Sequence, residues 1–86
     1  MEQNHMRTII FDSREQIYKH ETYQVVLPGE DGEFSVRDFH QPFLFKLRKG
    51  KIKIKENESD EEHRIFSFKD GLARFKGNEL LILCET

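Results

Sequence analysis

Apolar residues recur at every second position through much of this chain. Tyr23, Val25 and Leu27 share one face of the first clear run, and Phe43, Phe45 and Leu47 share the next, with Lys46 and Arg48 opposite. Ile52 and Ile54 then alternate with Lys51, Lys53 and Lys55, Phe66 and Phe68 flank Ser67, and Leu80 to Leu83 is a continuous apolar run of strand length. Alternation of this kind marks half-buried strands. No segment repeats apolar residues at helical spacing behind a cap, and the best helical candidate, Asp12 to Gln16, is too short to stand. Pro28-Gly29, Asp31-Gly32, Lys49-Gly50, Asp70-Gly71 and Gly77-Asn78 punctuate the runs with residues suited to tight turns. Gly77-Asn78, between Phe75 and Leu80, reads as a two-residue hairpin. The expected fold is all-β, a small β-sandwich or flattened barrel of about eight to ten short strands.

Composition narrows the class without naming it. A chain of 86 residues makes one domain with a modest core, helped by eight Phe and two Tyr. Its net charge of −2 arises from a chain that is 35% charged, so neither a polyanionic nor a polycationic partner follows from the balance. Cys84 is the single cysteine, which excludes an internal disulfide and fits a reducing compartment. It lies in phase with Leu80 and Ile82 and reads as a buried hydrophobe. Residues 1–5 read as a polar N-terminal tail, with no signal-peptide character, and residues 6–86 as the domain. No apolar run approaches the roughly 20 residues that span a bilayer, so a cytosolic protein is the default.

Catalytic chemistry is hard to find. His5, His20, His40 and His63 share no metal-ligand spacing. His63 sits beside Asp60, Glu61 and Glu62 in a polar stretch, residues 55–63, that reads as a solvated hairpin loop. No glycine run precedes a helix that could bind phosphate, and Ser13, Ser35, Ser59 and Ser67 lack a nucleophile-elbow context. No catalytic, cofactor or metal residue is therefore assigned. The basic stripe Lys46, Arg48, Lys49, Lys51, Lys53 and Lys55 offers an alternative function, a small OB-like nucleic-acid-binding domain. Against it, Phe43 and Phe45 lie on the face opposite the charges, and an acidic run follows from Glu56 to Glu62.

Residues 25–43 break the tie. Leu27-Pro28-Gly29-x-x-Gly32-Glu33-x-x-Val36-x-x-x-His40-x-Pro42 resembles the signature of the epsilon subunit of rotary F-type ATP synthases, called delta in mitochondria. The continuation through Phe43 to Ile54, the block Phe66 to Leu72 and the closing run Leu80 to Leu83 are similar to that family in order and spacing. Ser35, Arg37, Asp38 and Asp70 depart from the family's usual Gly, apolar residue, Pro and Gly, all at places read as turns. The resemblance implies a non-catalytic central-stalk subunit without cofactors. It would clamp the gamma subunit and rest on the c-ring at the cytoplasmic face of the bacterial inner membrane, reaching the membrane only through the complex. It would bind no nucleic acid. It further implies that Glu33, Arg37, Asp38, His40 and Pro42 contact those partners while Gly29 and Gly32 set turn geometry. The family's sandwich is usually followed by an autoinhibitory, ATP-binding pair of helices. The sequence stops at Glu85-Thr86, so the expectation is a form lacking that hairpin.

Overall fold

The computed structural model describes residues 5–13 and 15–86, so the N-terminal tail up to Asn4 and the residue at position 14 lie outside what is described. Nine strands run in chain order: β1 (Met6–Asp12), β2 (Glu15–Thr22), β3 (Gln24–Gly29), β4 (Gly32–Arg37), β5 (Phe43–Leu47), β6 (Gly50–Lys55), β7 (Arg64–Phe68), β8 (Asp70–Lys76) and β9 (Glu79–Glu85). No helix occurs among the described residues; of the short helical candidate, Asp12 closes β1, Glu15 and Gln16 open β2, and position 14 lies outside the described residues.

Hydrogen bonding orders the sheet β2-β1-β9-β8-β5-β3-β6-β7, with β4 on the other side of β3 from β6. All pairings are antiparallel except β1 with β9, where Arg7 to Asp12 run alongside Glu79 to Cys84. The sheet is weakest at one joint. β3 and β5 share only the pair Gly29 and Leu47, reinforced where the Arg48 amide donates to the Pro28 carbonyl at 2.8 Å. The joint divides the sheet into two halves, β2-β1-β9-β8-β5 and β4-β3-β6-β7, whose inner faces share one core.

Alternation places the core as the sequence predicts. Met6, Ile10, Leu47, Ala73, Phe75, Leu80, Ile82 and Cys84 from one half meet Val25, Leu27, Val36, Ile52, Ile54 and Phe68 from the other, all buried in a single cluster. Each large apolar side chain removed from water contributes about 1.5–3 kcal/mol before the entropy of ordering is subtracted. Thr8 and Thr22 are the buried polar residues, and their hydroxyls satisfy each other at 2.7 Å.

The far edges of the two halves also meet. Tyr18 of β2 packs edge-on against Phe66 of β7 at 5.4 Å between ring centroids, and its hydroxyl donates to Glu56 Oε2 at 2.5 Å. Burial, then the Glu56 hydrogen bond, pushes the Tyr18 phenol well above its ordinary pKa, keeping it a donor. Arg64 and His20 lie 3.9 and 4.0 Å from the same carboxylate. The acidic loop after β6 is thus pinned at its first residue, and Glu58 accepts from the Tyr23 hydroxyl at 2.7 Å further along. His5, assigned to the tail, is tied in as well, its Nε2 lying 3.1 Å from the Glu56 carbonyl.

Three details depart from the sequence reading. Pro28 and Gly29 lie inside β3, opposite Glu33 and Gly32, and the chain reverses at Glu30-Asp31 instead. Tyr23 does not join the core; it sits in the bend before β3 with the Arg37 guanidinium 3.9 Å above its ring. Phe45 faces inward in register with Ala73 yet stays 48% exposed, because the sheet opens at the joint beside it.

Candidate docking site

Residues 25–43, which carry the resemblance, form a hairpin of β3 and β4 followed by a separate loop. Residues 32–37 form β4, in which Phe34 and Val36 turn toward the core while Glu33, Ser35 and Arg37 face out. Glu33 and Arg37 therefore stand at opposite ends of a strand, about 13 Å apart at the usual rise. The sequence-predicted site residues are not one patch: Gly29, Gly32 and Glu33 group at one end, and Arg37, Asp38, His40 and Pro42 at the other.

The first group is set by glycine. A Cβ on Gly29 would sit 2.9 Å from Phe34 Cε1, and Gly32 adopts φ +123°, open only to glycine. That geometry presents Glu33 to solvent, but its carboxylate is engaged by Lys53 Nζ at 3.2 Å. A partner would have to compete with an exposed ion pair, which is weak by nature. Beside it lies a cleft of about 360 Å³ bordered by Glu30, Asp31, Phe34, Phe45 and Lys46.

The second group is held by contacts absent from the sequence pattern. Arg37 stacks on Tyr23 and lies 3.8 Å from Asp38. The His40 ring packs edge-on against Phe43 and Phe75, at 5.2 and 5.9 Å between centroids, while its Nδ1 lies 2.8 Å from the Gln41 carbonyl. Pro42 is exposed at the entry to β5. Between these residues, Phe39 was not singled out by sequence; it is 77% exposed and adopts φ 60°.

A third surface was also missed. Opposite the core, the half built on β5, β8, β9 and β1 carries a row Lys46–Leu72–Leu83–Phe11 and a neighbouring row Leu44–Arg74–Leu81–Ile9. Leu44, Leu72 and Leu83 are 66%, 45% and 47% exposed. A groove of about 450 Å³ opens on this face, lined by Phe11, Lys46, Leu72, Leu83, Cys84 and others. Contiguous apolar area on a sheet face marks an interaction surface. Cys84 borders the groove but is buried, and burial pushes its thiol pKa up, away from nucleophile chemistry.

The basic stripe is divided between the halves. Lys46 faces out beside Leu72 on β8, whereas Lys51, Lys53 and Lys55 lie on β6, which meets β3 at the end away from β5. Among the described residues no group of three or more His, Cys, Asp or Glu side chains converges where a metal ion could sit.

The family described as ATP synthase, Delta/Epsilon chain, beta-sandwich domain, matches residues 5–86. This chain belongs to that family. Among curated relatives it is 31% identical over 77 residues to the ATP synthase epsilon chain of Thioalkalivibrio sulfidiphilus, and 30% identical over 77 residues to that of Halorhodospira halophila. Each alignment covers 90% of this chain and 54% of the relative, so the chain spans about half the length of the curated relatives it matches. The fold agrees. A chain in the cryo-electron microscopy structure of the Euglena gracilis mitochondrial ATP synthase OSCP/F1/c-ring assembly superposes with a TM-score of 0.88 at 13% identity, covering 96% of this chain and 52% of that one. A second, in the central stalk and c-ring of the Tetrahymena thermophila mitochondrial ATP synthase, gives a TM-score of 0.79 at 12% identity, covering 100% of this chain and 67% of that one. The delta/epsilon sandwich is thus the frame in which the three surfaces are to be understood.

Proposed function

We propose that this domain is a non-catalytic docking module of the central stalk of an F-type ATP synthase. It couples the gamma subunit to the c-ring and works at the cytoplasmic face of a bacterial inner membrane through its complex. The observation that supports this best is the apolar outer face centred on Leu72 and Leu83, which the monomer leaves uncovered. That face is assigned to gamma. The turn bearing Glu33 is assigned to the polar loops of the c-ring, where an exposed carboxylate can meet cationic or amide side chains. Arg37, Asp38, His40 and Pro42, at the other end of β4, are assigned to gamma.

Torque transfer asks for stiffness and grip, which cross-strand hydrogen bonding and a broad apolar contact supply without a reactive group. Co-purification of the chain with its cognate gamma subunit tests the proposal. A stable complex is expected; failure to associate, with gamma and ring assembling normally alone, would end it.

A further inference from the structure

Among the described residues, three that are not glycine hold positive φ: Ser13 at 55°, Phe39 at 60° and Asn78 at 56°. Asn78 is at ease there. It forms the two-residue turn with Gly77 at 59°, the mirror-image geometry that β-hairpins favour. Phe39 has no such excuse, because a bulky side chain at positive φ is strained by contact with its own backbone. Nor does its ring return anything to the domain, being 77% exposed.

The strain is imposed by named contacts. The Phe39 amide donates to Asn78 Oδ1 at 2.7 Å, and the Asn78 side-chain amide donates to the His5 carbonyl at 3.1 Å. The Asn78 carbonyl accepts from Arg7 N at 3.2 Å, and the His40 amide donates to the Arg37 carbonyl at 3.3 Å. One asparagine thus ties the loop to the first strand and to the β8–β9 turn. Next along the chain, His40 is braced by Phe43 and Phe75. A clamped backbone that carries the ring outward leaves only the side-chain torsions to be ordered on binding, and lowering the ordering cost is how an aromatic anchor gains affinity. Backbone strain of this kind persists where a function outside the fold uses it.

We infer that Phe39 is an anchor residue, a preorganised aromatic that inserts into an apolar socket on the gamma subunit. The inference deepens the stalk reading and rests on it. It adds a residue outside the sequence-predicted set and gives the loop end of the domain its own foothold, apart from the Leu72–Leu83 face. Asn78 is a positioning residue for this anchor, not a contact.

The test measures affinity for purified cognate gamma and thermal stability together, for wild type, Phe39→Gly and Phe39→Asn. Both replacements suit positive φ, so each is expected to raise Tm by a few degrees while weakening gamma binding at least tenfold. A residue with a merely structural role would lower Tm on replacement. If wild type binds and Phe39→Gly binds within twofold of it, the anchor is refuted and the stalk reading stands. A fall in Tm in both variants would refute the strain argument on which the anchor rests. If wild type itself shows no affinity for gamma, the stalk reading fails and the anchor with it.

Discussion

The two halves of the sandwich share a core but present opposite characters to solvent. Outside the middle of β5, β8, β9 and β1 lie Leu44, Leu72, Leu81, Leu83, Ile9 and Phe11, with Lys46 and Arg74 among them and charged rows, Arg7–Glu79–Lys76 and Asp70–Glu85, at the two ends. Outside β4, β3, β6 and β7 lie Gln24, Ser35, Arg37, Lys51, Lys53, Lys55 and Ser67, with Glu33 paired to Lys53 and Val26 and Ile65 as the apolar members of the row through Lys53. Both faces obey the same alternation. On the second it sends mostly charge outward, as a solvated sheet should; on the first the mid-strand outward positions are largely apolar too, the pattern of a face that another surface can cover. What separates the halves is therefore the character of their outer faces, and the apolar one is the candidate docking face.

The largest contrast should come from charging the two faces in turn. Leu72→Glu combined with Leu83→Glu is expected to weaken gamma association about 100-fold or more, with little change in melting temperature, because neither side chain is in the core. Lys51→Glu with Lys55→Glu should change it by less than about threefold, since rim charges act mainly on association rate. Isothermal titration calorimetry on both doubles decides it; equal losses would abolish the distinction between the faces. At the seam joining the halves, Tyr18→Phe removes the donor to Glu56 and should cost about 1–2 kcal/mol in urea unfolding, as expected for a hydrogen bond to a charged acceptor. On the polar face, Lys53→Gln should change stability by less than about 1 kcal/mol, since the Glu33 pair is exposed. The same change frees Glu33 and should tighten c-ring binding, measurable by surface plasmon resonance on the reconstituted ring.

The smallest expected effect lies at a corner of the apolar face. Asp12 accepts from the Thr86 hydroxyl and backbone amide and from the Ser13 hydroxyl, and its pKa is lowered, chiefly by the Thr86 side-chain bond. A lowered folded-state pKa contributes stability above the ordinary aspartate range near ~3.9. That contribution is lost as pH falls through the folded value. Amide exchange at the end of β9 should accordingly rise below about pH 4, and Asp12→Asn should remove the pH dependence.

How much of this the sequence discloses varies with the length scale of the signal. Ile52, Ile54, Phe66, Phe68 and Cys84 declare their faces by local alternation, and Gly77-Asn78 declares its hairpin by turn chemistry. β4 is hidden because Gly29, just before it, and Gly32, its first residue, read as turn signals, although Phe34 and Val36 alternate correctly within it. β2 was hidden for another reason. A register shift between Ile10 and Phe11 breaks its pairing with β1, and Tyr18 and Thr22 are its buried residues, too sparse to set a period.

The candidate docking surfaces are the least visible part. Leu44, Leu72 and Leu83 become neighbours only through strand pairing, so no local window shows them as a patch. The basic stripe failed in the opposite sense, being contiguous in sequence but split by topology between two halves. Phe39 carries no periodic signal at all; its meaning lies in a backbone torsion set by Asn78, a residue far along the chain.

The parallel match of β1 with β9 has a kinetic corollary. The first strand of the domain lies between β2 and a partner drawn from the domain's other end. The strand that completes the core, with Leu80, Ile82 and Cys84, is thus also the one that secures the beginning of the domain. Folding must bring the two ends of the domain together before the sheet is continuous, a non-local closure of the kind that places β-rich domains in the millisecond-to-second range. A nascent chain stalled before Glu79 would leave β1 and β8 with bare edges, the condition in which strand-pairing aggregation begins.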